Sequence, residues 1–177
     1  SNKARIMADY VSAKHPKVRW WCPQLPPSPR DAASLIAEGI ANWPRQSMAV
    51  MGSSLGGYYA SWVAQLARCK SVLINPAVNP ARDLEKYIGE QASWHDPEEK
   101  FFFRPEYIDE LRLLDTRNMT PAAPEMVLIA QGDEVLDWTE MSERYPHALQ
   151  LVQEGGDHAL SNFEEYLSRV EEFLTLP

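Results

Sequence analysis

Cysteine is nearly absent from this chain: two of 177 residues, Cys22 and Cys69, stand far apart. Nothing in their spacing suits a metal site or a disulfide framework, and such usage fits a reducing compartment. Positive charge is also in the minority, with 17 Lys and Arg against 25 Asp and Glu and a formal net charge of −8. That balance argues against nucleic acid or an anionic membrane as the main partner. No apolar run approaches the ~20 residues of a membrane span, and no signal-peptide pattern opens the sequence. A cytoplasmic protein is therefore expected. Internal repeats and low-complexity segments are lacking too. What is present is 45% hydrophobic residues, enough for one domain over residues 1–177 with a sizeable core.

The chain is organised around Met48-Ala49-Val50-Met51-Gly52-Ser53-Ser54-Leu55-Gly56-Gly57. A short apolar run enters a Gly-x-Ser-x-Gly turn and a helix-forming segment leaves it, the pattern of a nucleophile elbow. Gly52 and Gly56 would leave room where side chains collide in a tight turn. Ser54 is the candidate nucleophile, and the Leu55 backbone N–H the candidate oxyanion donor. A plain Gly-rich turn and a phosphate-cradling loop are the competing readings. The latter wants Lys followed by Ser or Thr after the glycines, and Tyr58-Tyr59 stand there instead.

Before the elbow, Ser1 to about Lys14 reads as a helix with Ser1 as N-cap and Ile6, Tyr10 and Val11 facing the core. Val18–Cys22, aromatic and β-branched, reads as a strand. Ser28 then caps a helix with Pro29 at its first position and Leu35, Ile36 and Ile40 as its buried stripe. After the elbow come a helix from Leu55 to about Cys69 and a buried strand, Val72-Leu73-Ile74. Asn75 to Leu114 is irregular apart from a helix from Pro105. It is either a loop packed on the core edge or, over about 79–115, a small cap whose Trp94 and Phe101-Phe102-Phe103 line an acyl pocket. Met126–Ala130 and Leu149–Val152 are the last strands. Asp137-Trp138-Thr139-Glu140 and Ser161-Asn162-Phe163-Glu164 both open helices in capping-box form. Alternating strands and helices predict an α/β fold with a mostly parallel sheet flanked by helices.

In such sheets functional residues gather beyond the carboxyl ends of the strands. Asp133 follows the Met126–Ala130 strand, and His158 follows the Leu149–Val152 strand in a Gly-rich loop. The order Ser54, Asp133, His158 is that of an α/β-hydrolase triad. Three other histidines, His15, His95 and His147, occupy places better explained by packing or surface. Asp137 competes for the acid position, but it already caps a helix, whereas Asp133 has no capping role. Asp157 reads as a turn residue.

Gly-Ser-Ser-Leu-Gly-Gly-Tyr-Tyr-Ala, Leu-Ile-Asn-Pro-Ala-Val, Gln-Gly-Asp-Glu-Val-Leu-Asp and Gly-Gly-Asp-His-Ala occur in this order, and with them the chain resembles the YqiA-like bacterial esterases. The resemblance implies a compact α/β-hydrolase fold and a cytoplasmic Ser-His-Asp esterase or thioesterase without cofactor or metal. It also puts Ser54, Asp133 and His158 in the nucleophile, acid and base positions. Members of that family begin with an apolar strand and a His-Gly-Phe-type loop that lends a second oxyanion amide; this sequence starts at the helix. An N-terminal strand is thus expected to be missing between Val18–Cys22 and Met48–Met51, leaving a gap between them.

The expected activity is hydrolysis of a small-molecule acyl ester or thioester through an acyl-enzyme, with no nucleic acid partner. A non-catalytic binding or scaffolding module on the same fold is the alternative, whose mark would be a lost triad member. Peptidase activity is a third reading that no residue favours.

Overall fold

Val72, Leu73 and Ile74 are apolar in succession because their strand is covered on both faces. In the computed structural model, which describes residues 1–92 and 100–177, Val72 and Ile74 pack into one cluster with α1 (Asn2–Lys14) and α7 (Leu167–Leu174). Leu73 turns the other way, toward Ala60 of α3 (Leu55–Ala67) and Met141 of α6 (Trp138–Arg144). The same two-residue alternation runs through β5 (Glu125–Ala130), where Met126, Leu128 and Ala130 face the first cluster and Val127 and Ile129 the second. Helices on both faces of a parallel sheet make an α/β sandwich.

The sheet order is β1 (Ala49–Ser53), β2 (Lys70–Ile74), β5 and β6 (Leu149–Gln153), all parallel. The loops that carry Ser54, Asp133 and His158 therefore leave the same end of one sheet. The expected strand at Val18–Cys22 is not formed. That stretch has no regular secondary structure and does not pair with β1, which among the described residues is an edge strand. Two of its apolar residues pack on helices instead, while Trp20 and Cys22 are exposed. Trp21 lies over Gly39 of α2 (Pro29–Ile40), where a Cβ would meet the ring at 2.1 Å, and Val18 joins the α1 side of the core. β-Propensity measures how a side chain packs, and helices can use the same rings.

The helix starts expected from the sequence follow the capping chemistry in three places. Ser1 accepts from Ala4 N–H, Ser28 from Asp31 N–H with Pro29 behind it, and Asp137 from Thr139 N–H. The box at Ser161 fails. Its amide and hydroxyl both bond to the Asp157 carboxylate, and a 3₁₀ turn over Phe163–Tyr166 precedes α7. Two core faces also differ: Met7 takes the buried position beside Val11, and Leu35 is 37% exposed while Ala32, Ala33 and Ile36 are buried.

The described residues of the 79–115 stretch hold more order than their composition suggests. α4 (Pro80–Leu84) is followed by a hairpin of β3 (Gly89–Ala92) and β4 (Lys100–Phe103), antiparallel and separate from the main sheet, then α5 (Glu106–Leu113). The Glu110 carboxylate ties α5 to α2, accepting from Ser28 Oγ at 2.8 Å, Arg30 N–H at 3.1 Å and the Arg30 guanidinium at 2.8 Å. A negative charge at a helix N-terminus is favourable there. Phe103 is buried in the core, edge-on to Tyr107 at 5.4 Å, so it serves packing rather than a pocket wall. Phe102 is exposed, and Trp94 and His95 lie outside the described residues. No helix among the described residues is long and apolar enough to cross a membrane.

Candidate active site

Leaving β1, the backbone must reverse into α3 within two residues, and Ser54 sits at the turn with φ 55° and ψ −126°. Positive φ is uncommon for a residue with a side chain and costs on the order of 1–3 kcal/mol. The turn is held by Ser54 N–H donating to Ile74 C=O at 3.0 Å, while Ser54 C=O accepts from Gly57 at 2.9 Å and Ala77 at 3.0 Å. Gly52 is sterically required, since a Cβ there would lie 2.0 Å from the Gly56 carbonyl oxygen. Gly56 is not: a Cβ would meet nothing within 4 Å. The second crowded position is Gly57, 2.8 Å from Pro76 Cβ, which the Gly-x-Ser-x-Gly pattern does not include.

The loops carrying Asp133 and His158 are joined to each other beyond the ends of their strands. Gln131 N–H donates to Gln153 C=O at 3.0 Å and Gly132 N–H to Gly155 C=O at 2.8 Å, so the β5–β6 ladder continues into the loops. Gly132 permits this approach, because a Cβ would fall 2.5 Å from the Gly156 carbonyl oxygen. Past it, the Asp133 carboxylate is fully buried. Its Oδ1 accepts from Val135 and Leu136 N–H, each at 2.8 Å, and its Oδ2 lies 2.7 Å from His158 Nδ1. His158 Nε2 lies 2.9 Å from Ser54 Oγ. The three side chains thus form one chain of hydrogen bonds from three loops. A carboxylate can only accept, so Nδ1 carries the ring proton and Nε2 is left as acceptor for the Ser54 hydroxyl.

Asp137 is not part of that chain. Its carboxylate accepts from Thr139 hydroxyl and N–H at the start of α6, and those bonds hold its pKa below the ordinary range. Asp157 is likewise held low by Ser161 as a turn residue. Glu134, which the sequence reading passed over, accepts from the His158 backbone N–H at 2.9 Å, and this bond lowers its pKa. Adjacency to Asp133 was the only signal for it. Leu55 opens α3, where its N–H has no acceptor one turn back and points out of the helix end.

A cavity of about 130 Å³ borders the acid loop, lined by Pro76, Arg82, Val135, Leu136, Glu140 and Met141 among others. Its Arg82 is already engaged, bidentate on Glu140 at 2.8 Å and bonded to Asp83 at 2.7 Å. Among the described residues no group of three or more His, Cys, Asp or Glu is arranged to hold a metal.

A family model described as "Uncharacterised protein family (UPF0227)" matches residues 1–175. The UPF0227 protein YcfP of Escherichia coli O9:H4 (strain HS) is 26% identical over 130 residues, 72% of this chain and 64% of that protein. The chain therefore spans somewhat less than two thirds of the curated relatives it matches. Among solved structures, mouse alpha/beta hydrolase domain-containing protein 10 superposes with a TM-score of 0.66 at 11% identity, over 98% of this chain and 83% of that one. Est1E from Butyrivibrio proteoclasticus, solved with ferulic acid bound, gives 0.64 at 14% identity over 84% and 68%. At such identities the likeness concerns the fold, which is that of the α/β hydrolases.

Proposed function

From the premise that this chain belongs to the UPF0227 family, we propose that it is a serine hydrolase of carboxylic esters or acyl thioesters. The observation that carries the reading is the continuous relay Asp133–His158–Ser54, with steps of 2.7 and 2.9 Å, ending at a strained serine. Strain at Ser54 supports it independently, since a glycine would sit in that turn at no steric cost.

In this mechanism Ser54 Oγ attacks the acyl carbonyl carbon as its proton passes to His158 Nε2. Asp133 keeps the imidazolium oriented and offsets its charge. Leu55 N–H donates to the oxyanion of the tetrahedral intermediate, in the direction the α3 dipole favours. Collapse breaks the C–O or C–S bond, and His158 returns the proton to the leaving alcohol or thiol. Water then repeats the sequence on the acyl-enzyme and releases the acid. A cytoplasmic setting belongs to the same proposal and is compatible with two free cysteines, Cys22 exposed and Cys69 buried.

The test is incubation with a fluorophosphonate followed by mass spectrometry of the labelled peptide. Labelling at Ser54, lost in Ser54→Ala and after heat unfolding, supports the reading. An intact, folded protein that neither labels nor hydrolyses an activated short-chain ester overturns it.

A further inference from the structure

We propose that Asn75 is a positioning residue that holds the His158 backbone, and through it the imidazole, in line with Asp133 and Ser54. The inference rests on the relay reading above. Asn75 stands one residue past β2, fully buried, with φ 38°. Asparagine is one of the few residues with a side chain that tolerates this left-handed backbone. Its side chain commits both amide hydrogens and its oxygen to the acid strand and the base loop. Oδ1 accepts from Ala130 N–H at 2.8 Å, at the end of the acid strand, and Nδ2 donates to the carbonyls of Asp157 and His158, both at 3.1 Å. The partners fix the amide orientation, because an N–H requires the oxygen and two carbonyls require the nitrogen.

The backbone at this point is equally committed. Asn75 N–H donates to Leu128 C=O at 2.9 Å, and the preceding carbonyl, that of Ile74, accepts from Ser54 N–H at 3.0 Å. Within two residues the end of β2 therefore touches the nucleophile turn, the acid strand and the base. The His158 backbone is held at both of its polar groups, its N–H by Glu134 and its C=O by Asn75. Glu134 is exposed, so water can replace it; Asn75 is buried, so nothing can. Without the amide, the Ala130 N–H and the His158 carbonyl lose the bond Asn75 gives them, the Asp157 carbonyl keeps only its bond from Leu160 N–H at 3.0 Å, and the 157–158 segment relaxes toward water. A displacement of about 1 Å at a catalytic group costs on the order of 10²-fold in rate.

The experiment reads ring geometry as well as turnover. Asn75→Gly keeps the positive φ available and removes only the side-chain bonds. In the unaltered protein, long-range 1H–15N correlation should find His158 as a single Nδ1–H tautomer. In Asn75→Gly it should find a mixture, with kcat for an activated ester lowered about 10²-fold and KM within about threefold. Tyr145→Phe is the control. It breaks a buried bond to Ser61 Oγ remote from the relay, and should lower the melting temperature without altering the tautomer or kcat. If Asn75→Gly does not fold, Asn75→Asp, which keeps the acceptor for Ala130 N–H but not the two amide donors, is measured in the same way. A folded variant with one tautomer and kcat within threefold of the parent overturns the assignment. A parent that never turns over sinks the hydrolase reading instead, and the tautomer still decides the role of Asn75.

Discussion

Replacing Asp133 by asparagine should do more damage than the loss of one charge suggests. Asp133 Oδ1 accepts two backbone bonds, from Val135 and Leu136, at 2.8 Å each. In Asp133→Asn the amide oxygen must stay on those two donors, since turning it would leave both N–H groups facing an NH₂. The amide nitrogen is then presented to His158 Nδ1, 2.7 Å away in the parent. Two donors cannot face each other, so the imidazole proton moves to Nε2, where it opposes Ser54 Oγ instead of accepting from it. Inverting the tautomer in a Ser-His-Asp relay lowers kcat by about 10⁴-fold, roughly 5.5 kcal/mol at about 1.4 kcal/mol per tenfold. Asp137→Asn should leave kcat within about twofold, because asparagine caps a helix as well as aspartate. The assay is hydrolysis of a p-nitrophenyl ester, with circular dichroism to establish that both variants fold. A larger loss at Asp137, or less than a tenfold loss at Asp133, refutes this reasoning.

Ser54→Gly should abolish turnover and fluorophosphonate labelling while raising the melting temperature by about 2–4 °C, through relief of roughly 1 kcal/mol of backbone strain; a drop in melting temperature contradicts it. Gly52→Ala and Gly56→Ala should diverge sharply. The first forces a Cβ to 2.0 Å from a backbone oxygen and should abolish soluble folded protein, whereas the second meets open space and should melt within a few degrees of the parent. Glu134 should make the His158 loop pH-sensitive. Its folded-state pKa is depressed, so its contribution is present above the ordinary glutamate value near ~4.3 and disappears as pH falls through the folded value. Urea midpoints of the parent and Glu134→Gln should therefore differ at neutral pH and converge in acid; a constant separation would show that the carboxylate charge is not responsible.

Features were legible in the sequence where local chemistry and tertiary demand coincide. Val72–Ile74 and Met126–Ala130 are apolar throughout because both faces are buried, and Pro29 after Ser28 marks a helix start by covalent geometry alone. The candidate acid was separable from its neighbour because helix capping already accounts for Asp137, and the geometry brings Asp133 to His158. Illegible features were those settled by a partner distant in sequence. Val18–Cys22 has strand composition, but Trp21 finds its contact on Gly39. Ser161 carries a capping pattern, yet Asp157 takes both its hydroxyl and its amide. Asn75 has no local signature at all, because its three side-chain bonds cross 55 to 83 residues of sequence.

The placement of residues 79–115 bears on how such a chain can diverge. This stretch carries its own hairpin and is fastened through Glu110, Arg82 and the Tyr58–Leu111 bond. None of its described side chains bonds to Ser54, Asp133 or His158. It lies in the crossover between two neighbouring strands, β2 and β5, which must span the sheet whatever its length. Lengthening a flexible connection is cheap in closure entropy, about 0.6 kcal/mol per doubling. Deleting Phe103, Ile108 or Leu111 would open the core against α3, but added length between these anchors need not touch Ser54, Asp133 or His158, so this crossover is where descendants of the same scaffold can grow.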